Sequence, residues 1–249
     1  MGSTFKNDRF NRELISMKKL IFSPFLFIPM LLAAQSNFMS LTLGKSSTLG
    51  EYGSMEALTD GFATSGIVAD YSGAYFISKY AGFGGSVKYS SNPTDEAKIK
   101  KLLSQQIPSE IPSNVDTMYN TGFWKNVSVM AGPFFTLPAG NFNIDLYGFG
   151  GIGFVMPPPF DIVASNTDNY YSRTSSSRQV SWAFNAGAGF RYNLNDNYAL
   201  RFHSDFFASS ASMKIHTELT TKDKNVSDTE KYRTLIEFLS LQVGLVYRM

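Results

Sequence analysis

The stretch that most limits how this chain can fold is its last one, Tyr232 to Met249. From Leu239 onward, apolar and small or polar residues alternate strictly, and a period of two indicates a β-strand with one apolar face. The apolar face holds Leu239, Leu241, Val243, Leu245, Tyr247 and Met249, and the other face holds Ser240, Gln242, Gly244, Val246 and Arg248. Such a strand at the open edge of a sheet would promote aggregation, so we expect another strand to pair with it and close the sheet.

The composition limits the classes of function. Only 17% of the residues are charged, against about 25% in average globular chains, whereas 15% are aromatic. The formal net charge is +2 and there is no long basic run, so no nucleic-acid partner is expected. The absence of cysteine excludes a disulfide framework, a thiolate metal site and a cysteine nucleophile.

The N-terminal region reads as a targeting segment. Two lysines precede the apolar run Leu20 to Ala34, and small residues end it. The run is shorter than the roughly 20 residues that span a membrane, which favours a signal peptide over residues 17–34 and a cut between Ala34 and Gln35. The alternative is an N-terminal anchor helix. Residues 1–16 are interpreted as an over-extended N-terminus, which leaves 35–249 as one folded domain.

Alternation continues through the rest of the chain. Three connections are short turns and four are long loops, an asymmetry typical of a transmembrane β-barrel. We therefore predict an all-β fold, an eight-stranded antiparallel up-and-down transmembrane β-barrel with short periplasmic turns and long extracellular loops. The predicted strands are Phe38–Gly44, Thr64–Ile77, Ala81–Ser90, Trp124–Thr136, Phe142–Phe154, Gln179–Tyr192, Tyr198–Ser210 and the alternating stretch that ends at Met249; a charged loop is expected from the seventh strand to about Lys231.

The distribution of charge between the two faces supports this orientation. If the apolar faces point outward, almost every strand charge points inward, with Lys125 and Glu237 as exceptions near the loops. An outward Arg or Lys at the bilayer midplane would cost about 2–4 kcal/mol. Eight strands leave an interior just wide enough for side chains, so we expect a charge network that plugs the lumen. Its members are Asp70, Lys88, Asp145, Arg191, Arg201, His203, Asp205 and Arg248.

Other interpretations of these patterns stay open. The lumen could instead form a narrow ion path or a proton-sensitive gate at His203. A soluble lipocalin-like barrel would reverse the two faces and place the charges outside.

Aromatic residues gather near the strand ends, as expected of two interfacial girdles. They are Tyr75, Tyr80, Phe142, Tyr192, Tyr198 and Tyr247 at the short turns, and Tyr89, Trp124, Phe154, Trp182 and Tyr232 at the long loops.

Two stretches resemble a known family. The segment from Gly132 to Asn141 (GPFFTLPAGN) and the ending from Gly244 to Arg248 are similar to small eight-stranded outer-membrane β-barrels, OmpA/OmpX-like in plan and close to the PorT-like barrel domains of Bacteroidota. Gly244, Tyr247 and Met249 resemble the C-terminal assembly signal of such proteins, with Met249 in place of the usual Phe.

The resemblance implies an integral outer-membrane protein that is inserted by the outer-membrane assembly machinery. Outer-membrane lipid and lipopolysaccharide would then surround it. It also implies a structural or interaction role through the extracellular loops, with a secretion-apparatus role or a narrow channel as alternatives.

The 91–121 loop is the longest connection and is predicted to contain one helix. Asn92 is a candidate N-cap, Pro93 fits the first helical position, and apolar residues follow at helical spacing up to Gln106. Two interpretations stay open. The helix either caps its own loop, which we favour, or binds an envelope protein partner.

No catalytic, cofactor-binding or metal site is predicted. The GxGxxG match from Gly148 to Gly153 lies inside a strand and has no following helix, so it does not indicate a dinucleotide site. Ser204 directly follows His203 and therefore lies on the opposite face, while His216 and Glu218 have no serine partner. No histidine and carboxylate cluster occurs at ligand spacing. We therefore expect a protein that is not an enzyme and has no cofactor.

Overall fold

The computed structural model describes residues 37–54, 60–104, 116–120, 122–158, 160–165, 170–175, 179–220 and 225–249. The predicted signal peptide, its cut site at Ala34 and Gln35, and residues 1–16 lie outside this part. Among the described residues, no helix has the length and apolar character needed to cross a membrane. The strands are β1 (Phe38–Leu49), β2 (Gly66–Phe76), β3 (Ala81–Pro93), β4 (Asp116–Asn120), β5 (Phe123–Ala139), β6 (Phe142–Met156), β7 (Phe160–Ser165), β8 (Tyr170–Ser175), β9 (Gln179–Asn193), β10 (Tyr198–Thr220) and β11 (Asn225–Arg248); the helices are α1 (Gly50–Gly53) and α2 (Glu96–Ser104).

Eight antiparallel strands close into a barrel in the order β1-β2-β3-β5-β6-β9-β10-β11. The last strand pairs with the first along the full length of β1, from Phe38↔Arg248 to Leu49↔Glu237. The predicted eight-stranded up-and-down barrel is thus confirmed, and pairing with β1 protects the apolar strand at the C-terminus. The short turns gather at one end of the barrel, called the turn end, and the long connections gather at the loop end.

The strand registers show how strongly the barrel is tilted. A row of paired residues that starts at Leu146 of β6 passes once around the barrel and returns to β6 at Met156. The displacement is 156 − 146 = 10 residues along the strand, which is the shear of the barrel. With the usual rise and strand spacing, this shear corresponds to a tilt of about 40°.

The outward face is apolar and the inward face is mixed polar and aromatic. Ile67 and Leu241 expose 64% and 65% of their surface, whereas Lys88, Asp145 and Arg201 are buried inside. This arrangement is the reverse of a soluble lipocalin-like barrel. The predicted girdle residues point outward where the structure describes their side chains, except Trp124. Trp124 is 2% exposed and points into the lumen, because β5 starts at Phe123 and its alternation places Trp124 on the inner face.

Several strands run beyond their predicted bounds. The predicted charged loop over about 211–231 is instead a long hairpin, because β10 and β11 stay paired up to Thr220↔Asn225. Two further strands, β7 and β8, form in the loop that precedes Gln179, and β4 forms in the 91–121 loop. These segments lie beyond the closed barrel and do not continue its apolar outer face, so apolar alternation did not reveal them.

The helix in the 91–121 loop starts later than predicted. It spans Glu96–Ser104, and Asp95 caps it by accepting a hydrogen bond from the Lys98 backbone at 3.1 Å. Asn92, the predicted cap, instead lies near the end of β3 and points inward, where its amide donates to Ser46 Oγ at 2.9 Å.

Candidate functional site

The centre of the lumen is organised around Asp205 of β10. One carboxylate oxygen accepts a hydrogen bond from Lys88 Nζ at 2.5 Å and from Ser240 Oγ at 2.8 Å. The other accepts from Gln242 Nε2 at 3.0 Å and from Tyr147 OH at 3.2 Å. The side chains of Lys88 and Asp205 are fully buried. Strands β3, β6, β10 and β11 therefore meet at one carboxylate in the middle of the barrel.

His203 and Asp70 lie beside this carboxylate. His203 Nε2 is 3.4 Å from Asp205 Oδ2, but neither ring nitrogen has a hydrogen-bond partner of good geometry. Asp70 accepts a hydrogen bond from Ser86 Oγ at 2.6 Å. Potential ligand atoms of Asp70, His203 and Asp205 all lie within 4.8 Å of one another. Linear spacing did not indicate this cluster, because Asp70 is on a strand far from the other two in sequence.

The charge balance argues against a divalent cation in this cluster. Among the described residues, the buried carboxylates are Asp70, Asp145 and Asp205, and the buried lysine and arginines are Lys88, Arg191 and Arg201. Three negative and three positive charges already compensate each other. A divalent ion would add charge that nothing in this network compensates, at a high cost in a buried site.

A second ion pair lies toward the turn end. Arg191 of β9 holds Asp145 of β6 in a bidentate contact, with Nε donating to Oδ2 at 2.7 Å and an Nη to Oδ1 at 3.0 Å. The same Nη donates to Thr136 Oγ1 at 3.2 Å. The Arg191 guanidinium also stacks over the Phe38 ring at 4.1 Å. This geometry favours a fixed structural pair rather than a mobile one.

Arg201 is a member of the predicted charge network, but hydroxyl groups and aromatic rings hold it. Its guanidinium donates to Ser40 Oγ and Ser72 Oγ, each at 3.0 Å, and the Arg201 Nε atom is buried without a partner. The rings of Tyr147, Phe38 and Phe134 surround its charge at 5.4 to 5.8 Å. Cation–π contacts and hydroxyl groups therefore take the place of a carboxylate.

Arg248 lies at the rim of the barrel rather than in its buried centre. It is half-buried at the turn end, and its guanidinium donates to the Asn195 carbonyl oxygen at 3.5 Å. Its backbone amide donates to the Asn197 carbonyl at 2.7 Å. Seven of the eight predicted network residues thus lie buried inside the barrel, and the eighth lies at its rim.

Aromatic side chains fill the lumen on both sides of the central charges. Toward the turn end, the rings of Phe38, Phe76 and Phe134 pack with centroids 5.4 to 6.2 Å apart. Toward the loop end, Phe207 and Phe238 stack at 4.8 Å. These five residues were not predicted, although Phe76, Phe207 and Phe238 alternate in phase with the inward charges of their strands, and Phe38 and Phe134 with inward polar residues. These layers bury the central charged side chains, which expose at most 4% of their surface.

A cap closes the loop end of the lumen. It consists of residues 50–54 and 60–63, and its backbone pairs locally, for example Ala63 N with the Tyr52 carbonyl at 3.0 Å. Trp124 Nε1 donates to the Gly61 carbonyl oxygen at 2.7 Å, and the Trp124 ring packs edge-on against Tyr52 at 5.5 Å. Burial raises the pKa of the Tyr52 hydroxyl, so it stays protonated.

We expect Trp124→Phe to loosen this cap, because Phe keeps an aromatic ring but leaves the buried Gly61 carbonyl oxygen without its donor. One such hydrogen bond is worth about 1 kcal/mol, so local opening should become about five-fold more frequent. A Glu-specific protease that cleaves at Glu51 or Glu56 should reveal this as faster cleavage of the folded protein. Trp182→Phe, on the outward face of β9, is the matched control, and equal cleavage rates for the two variants would contradict the role of Trp124.

The predicted assembly-signal residues lie on the strand that closes the barrel. Gly244 pairs with Thr42 of β1 and with Arg201 of β10. A side chain at Gly244 would overlap the Leu41 carbonyl oxygen, so the glycine allows β1 and β11 to pair closely. Tyr247 and Met249 point outward at the turn end and are exposed.

The remaining candidate residues for catalysis stay apart. Ser204 points outward, away from buried His203. His216 lies on the exposed part of the β10–β11 hairpin, where Thr229 Oγ1 at 2.9 Å and Glu218 Oε1 at 3.1 Å flank its ring. The segment Gly148–Gly153 lies within β6, as expected.

A closed eight-stranded barrel with an apolar outer face, aromatic girdles and an internally paired lumen defines an integral outer-membrane β-barrel protein. Residues 24–248 match the model of the outer membrane protein beta-barrel domain, and the chain belongs to this family. The turn end is therefore periplasmic and the loop end extracellular.

The barrel also resembles solved structures at low sequence identity. Ail, the attachment invasion locus protein of Yersinia pestis, is 17% identical with a TM-score of 0.36, and the match covers 86% of this chain and 99% of that one. Neisserial surface protein A is 11% identical with a TM-score of 0.40 and coverage of 86% and 97%. OprG of Pseudomonas aeruginosa is 12% identical with a TM-score of 0.45 and coverage of 86% and 96%. The comparison with curated proteins finds no significant match.

Proposed function

We propose that this protein is a non-conducting outer-membrane barrel that holds a rigid extracellular β-sheet for contact with another macromolecule. The observation that carries the proposal is the length of the β10–β11 hairpin. Strand β1 ends at the pair Leu49↔Glu237, but β10 and β11 stay paired up to Thr220↔Asn225. About half of β11 therefore extends beyond its pairing with β1.

Three further strands enlarge this hairpin into a sheet. The free edge of β10 pairs with β8 from Ile215↔Ser175 to Thr220↔Tyr170, and β7 and then β4 continue the sheet. The extracellular sheet thus has the order β11-β10-β8-β7-β4. A paired sheet loses less conformational entropy on binding than flexible loops do, so it suits a role in recognition.

The packed lumen supports a role without conduction. Buried ion pairs, aromatic layers and the cap occupy the path through the barrel, as described above. We infer that the charge network acts as a plug, that the protein is not an enzyme, and that it needs no cofactor or nucleic acid. In planar bilayers, purified barrel should give no discrete conductance steps. Steps that Arg201→Ala alters would favour the alternative of a narrow channel.

The 91–121 loop contributes to the same surface. Its strand β4 ends the extracellular sheet, while Ile99 of α2 is buried. This burial favours a helix that caps its own loop, and it leaves the sheet as the contact surface for an envelope protein partner. A component of a secretion apparatus, as the PorT-like resemblance implies, is one partner class; an adhesion target is another.

Shortening the hairpin tests the interaction. The variant replaces residues 213–232 with an Asn-Gly turn that joins Ser212 to Arg233, which are paired in the structure. In whole-cell crosslinking, we expect one defined partner for the intact protein and loss of that partner for the variant, while the gel shift between boiled and unboiled samples persists. The control variant, Lys98→Ala with Lys101→Ala on α2, should keep the partner. No partner, or the same partner after shortening, would refute the interaction role.

A further inference from the structure

Two lysines on the outer face of the barrel lie in one row of paired residues. The row runs from Lys45 of β1 through Ile67 of β2 and Ser91 of β3 to Lys125 of β5. Both lysines are exposed on the lipid-facing side. Three strand spacings separate them, which amounts to about 14 Å across the barrel wall. Lys125 is one of the predicted outward exceptions, whereas Lys45 lies one residue beyond the predicted end of the first strand at Gly44.

The row lies at the level of the extracellular aromatic girdle. Because the strands tilt by about 40°, each step along the row rises by about 3 Å, so Lys125 lies roughly 9 Å closer to the cell exterior than Lys45. The same geometry places Lys45 at about the height of Tyr89 and Lys125 at about the height of Phe154. Such aromatic residues mark the boundary between hydrocarbon and lipid head groups.

Within the described part of the chain, no acidic side chain pairs with either lysine. Between the girdles, the outward faces of the described barrel strands carry no other lysine or arginine. Lys45 is flanked by exposed Ile67 and Leu241, so its ammonium group lies against hydrocarbon unless an anion of the lipid meets it.

We propose that Lys45 and Lys125 bind the two phosphates of one lipid A head group of lipopolysaccharide in the outer leaflet. The flexible Lys45 side chain can extend toward the head groups and offset its greater depth, so two cations at a spacing set by a rigid sheet can meet one head group that carries two separated phosphates. A glycerophospholipid carries only one phosphate. Ser91, between the lysines, offers a hydroxyl to the sugar backbone, and Ile67 contacts an acyl chain. This inference concerns the barrel wall and is independent of the extracellular sheet.

Native mass spectrometry of the purified full chain tests the proposal with three lipids. The wild-type protein should retain bisphosphoryl lipid A about ten-fold more than monophosphoryl lipid A or phosphatidylglycerol, since one charge-assisted contact corresponds to about that ratio. Lys45→Gln and Lys125→Gln should each abolish this preference, and Lys45→Arg should keep it.

Lys79→Gln is the matched control, because it removes the same charge at the periplasmic turn, far from the row. It should leave the preference unchanged. The gel shift between boiled and unboiled samples verifies that every variant is folded. Equal retention of the three lipids by the wild type, or an unchanged preference in Lys45→Gln and Lys125→Gln, would overturn the proposal.

Discussion

Replacing Lys88 by Met is expected to lower the free energy of unfolding by about 3–5 kcal/mol, because it leaves the Asp205 carboxylate buried without its cation. Asp205→Asn should cost a similar amount, since it leaves the buried Lys88 ammonium without the carboxylate that pairs with it. In the double variant both charges are gone, and the amide oxygen at position 205 can still accept a hydrogen bond from Ser240 Oγ. We therefore expect the double variant to recover most of the loss.

The measurement is urea-induced unfolding of the purified barrel in detergent or lipid, followed by the gel shift between folded and unfolded forms. The double-mutant cycle should give a coupling energy of about 3 kcal/mol or more. Ser204→Ala is the matched control, because Ser204 is adjacent in sequence but faces outward, and it should change stability by less than about 0.5 kcal/mol. If the effects of the two single substitutions on the free energy of unfolding add up to the effect of the double variant, Lys88 and Asp205 are not a tightly coupled pair.

Gly244→Ala should strongly impair formation of the barrel. The added methyl group would overlap the Leu41 carbonyl oxygen and lie 2.6 Å from Thr42 Cα, so β1 and β11 would have to separate. Overpacking costs about 1–3 kcal/mol where side chains can adjust. We expect the upper end of that range, because backbone atoms of the closing strand pair meet the methyl group.

Refolding of purified, urea-unfolded protein into detergent micelles separates two roles of Gly244. If Gly244 serves only as a recognition signal for the assembly machinery, the Gly244→Ala variant will refold normally in micelles, where that machinery is absent. We expect a reduced folded fraction instead. Gly150→Ala, in β6, is the matched control, since nothing lies within 4 Å of the added methyl group. Tyr247→Ala should refold in micelles, because its side chain is exposed on the outer face and truncating it leaves the backbone pairing of β1 and β11 intact.

The outer face of the barrel was predictable in detail. The alternation from Val180 to Phe190 identified both the strand and its orientation, because lipid contact demands an apolar residue at every second position. The same alternation assigned Lys88, Asp145 and Asp205 to the interior. The alternation did not predict the polar hairpin beyond Ser210 or the strands β4, β7 and β8. These segments lie in water, where no apolar residue is required at every second position.

The sequence predicted which side chains point into the barrel, but not which of them pair with one another. Asp205 meets Lys88 across 117 residues of sequence, and Asp145 meets Arg191 across 46. Such contacts depend on the registers of all the strands between them, and a shift of two residues would keep every inward face while changing every partner. For the same reason the sequence could not show that Arg201 lies among aromatic rings, or that Lys45 and Lys125 share one row.

The sequence by itself therefore determined that this chain forms a closed membrane barrel, which side of each central strand faces lipid, and which charges point inward, since these features follow from a local period of two. Only the tertiary structure decided the shear of 10, the Asp205-centred network, the cap held by Trp124 and the extracellular five-stranded sheet. Each of these depends on which residues of distant strands lie side by side, and the hydrogen-bond ladder of the complete barrel sets that register.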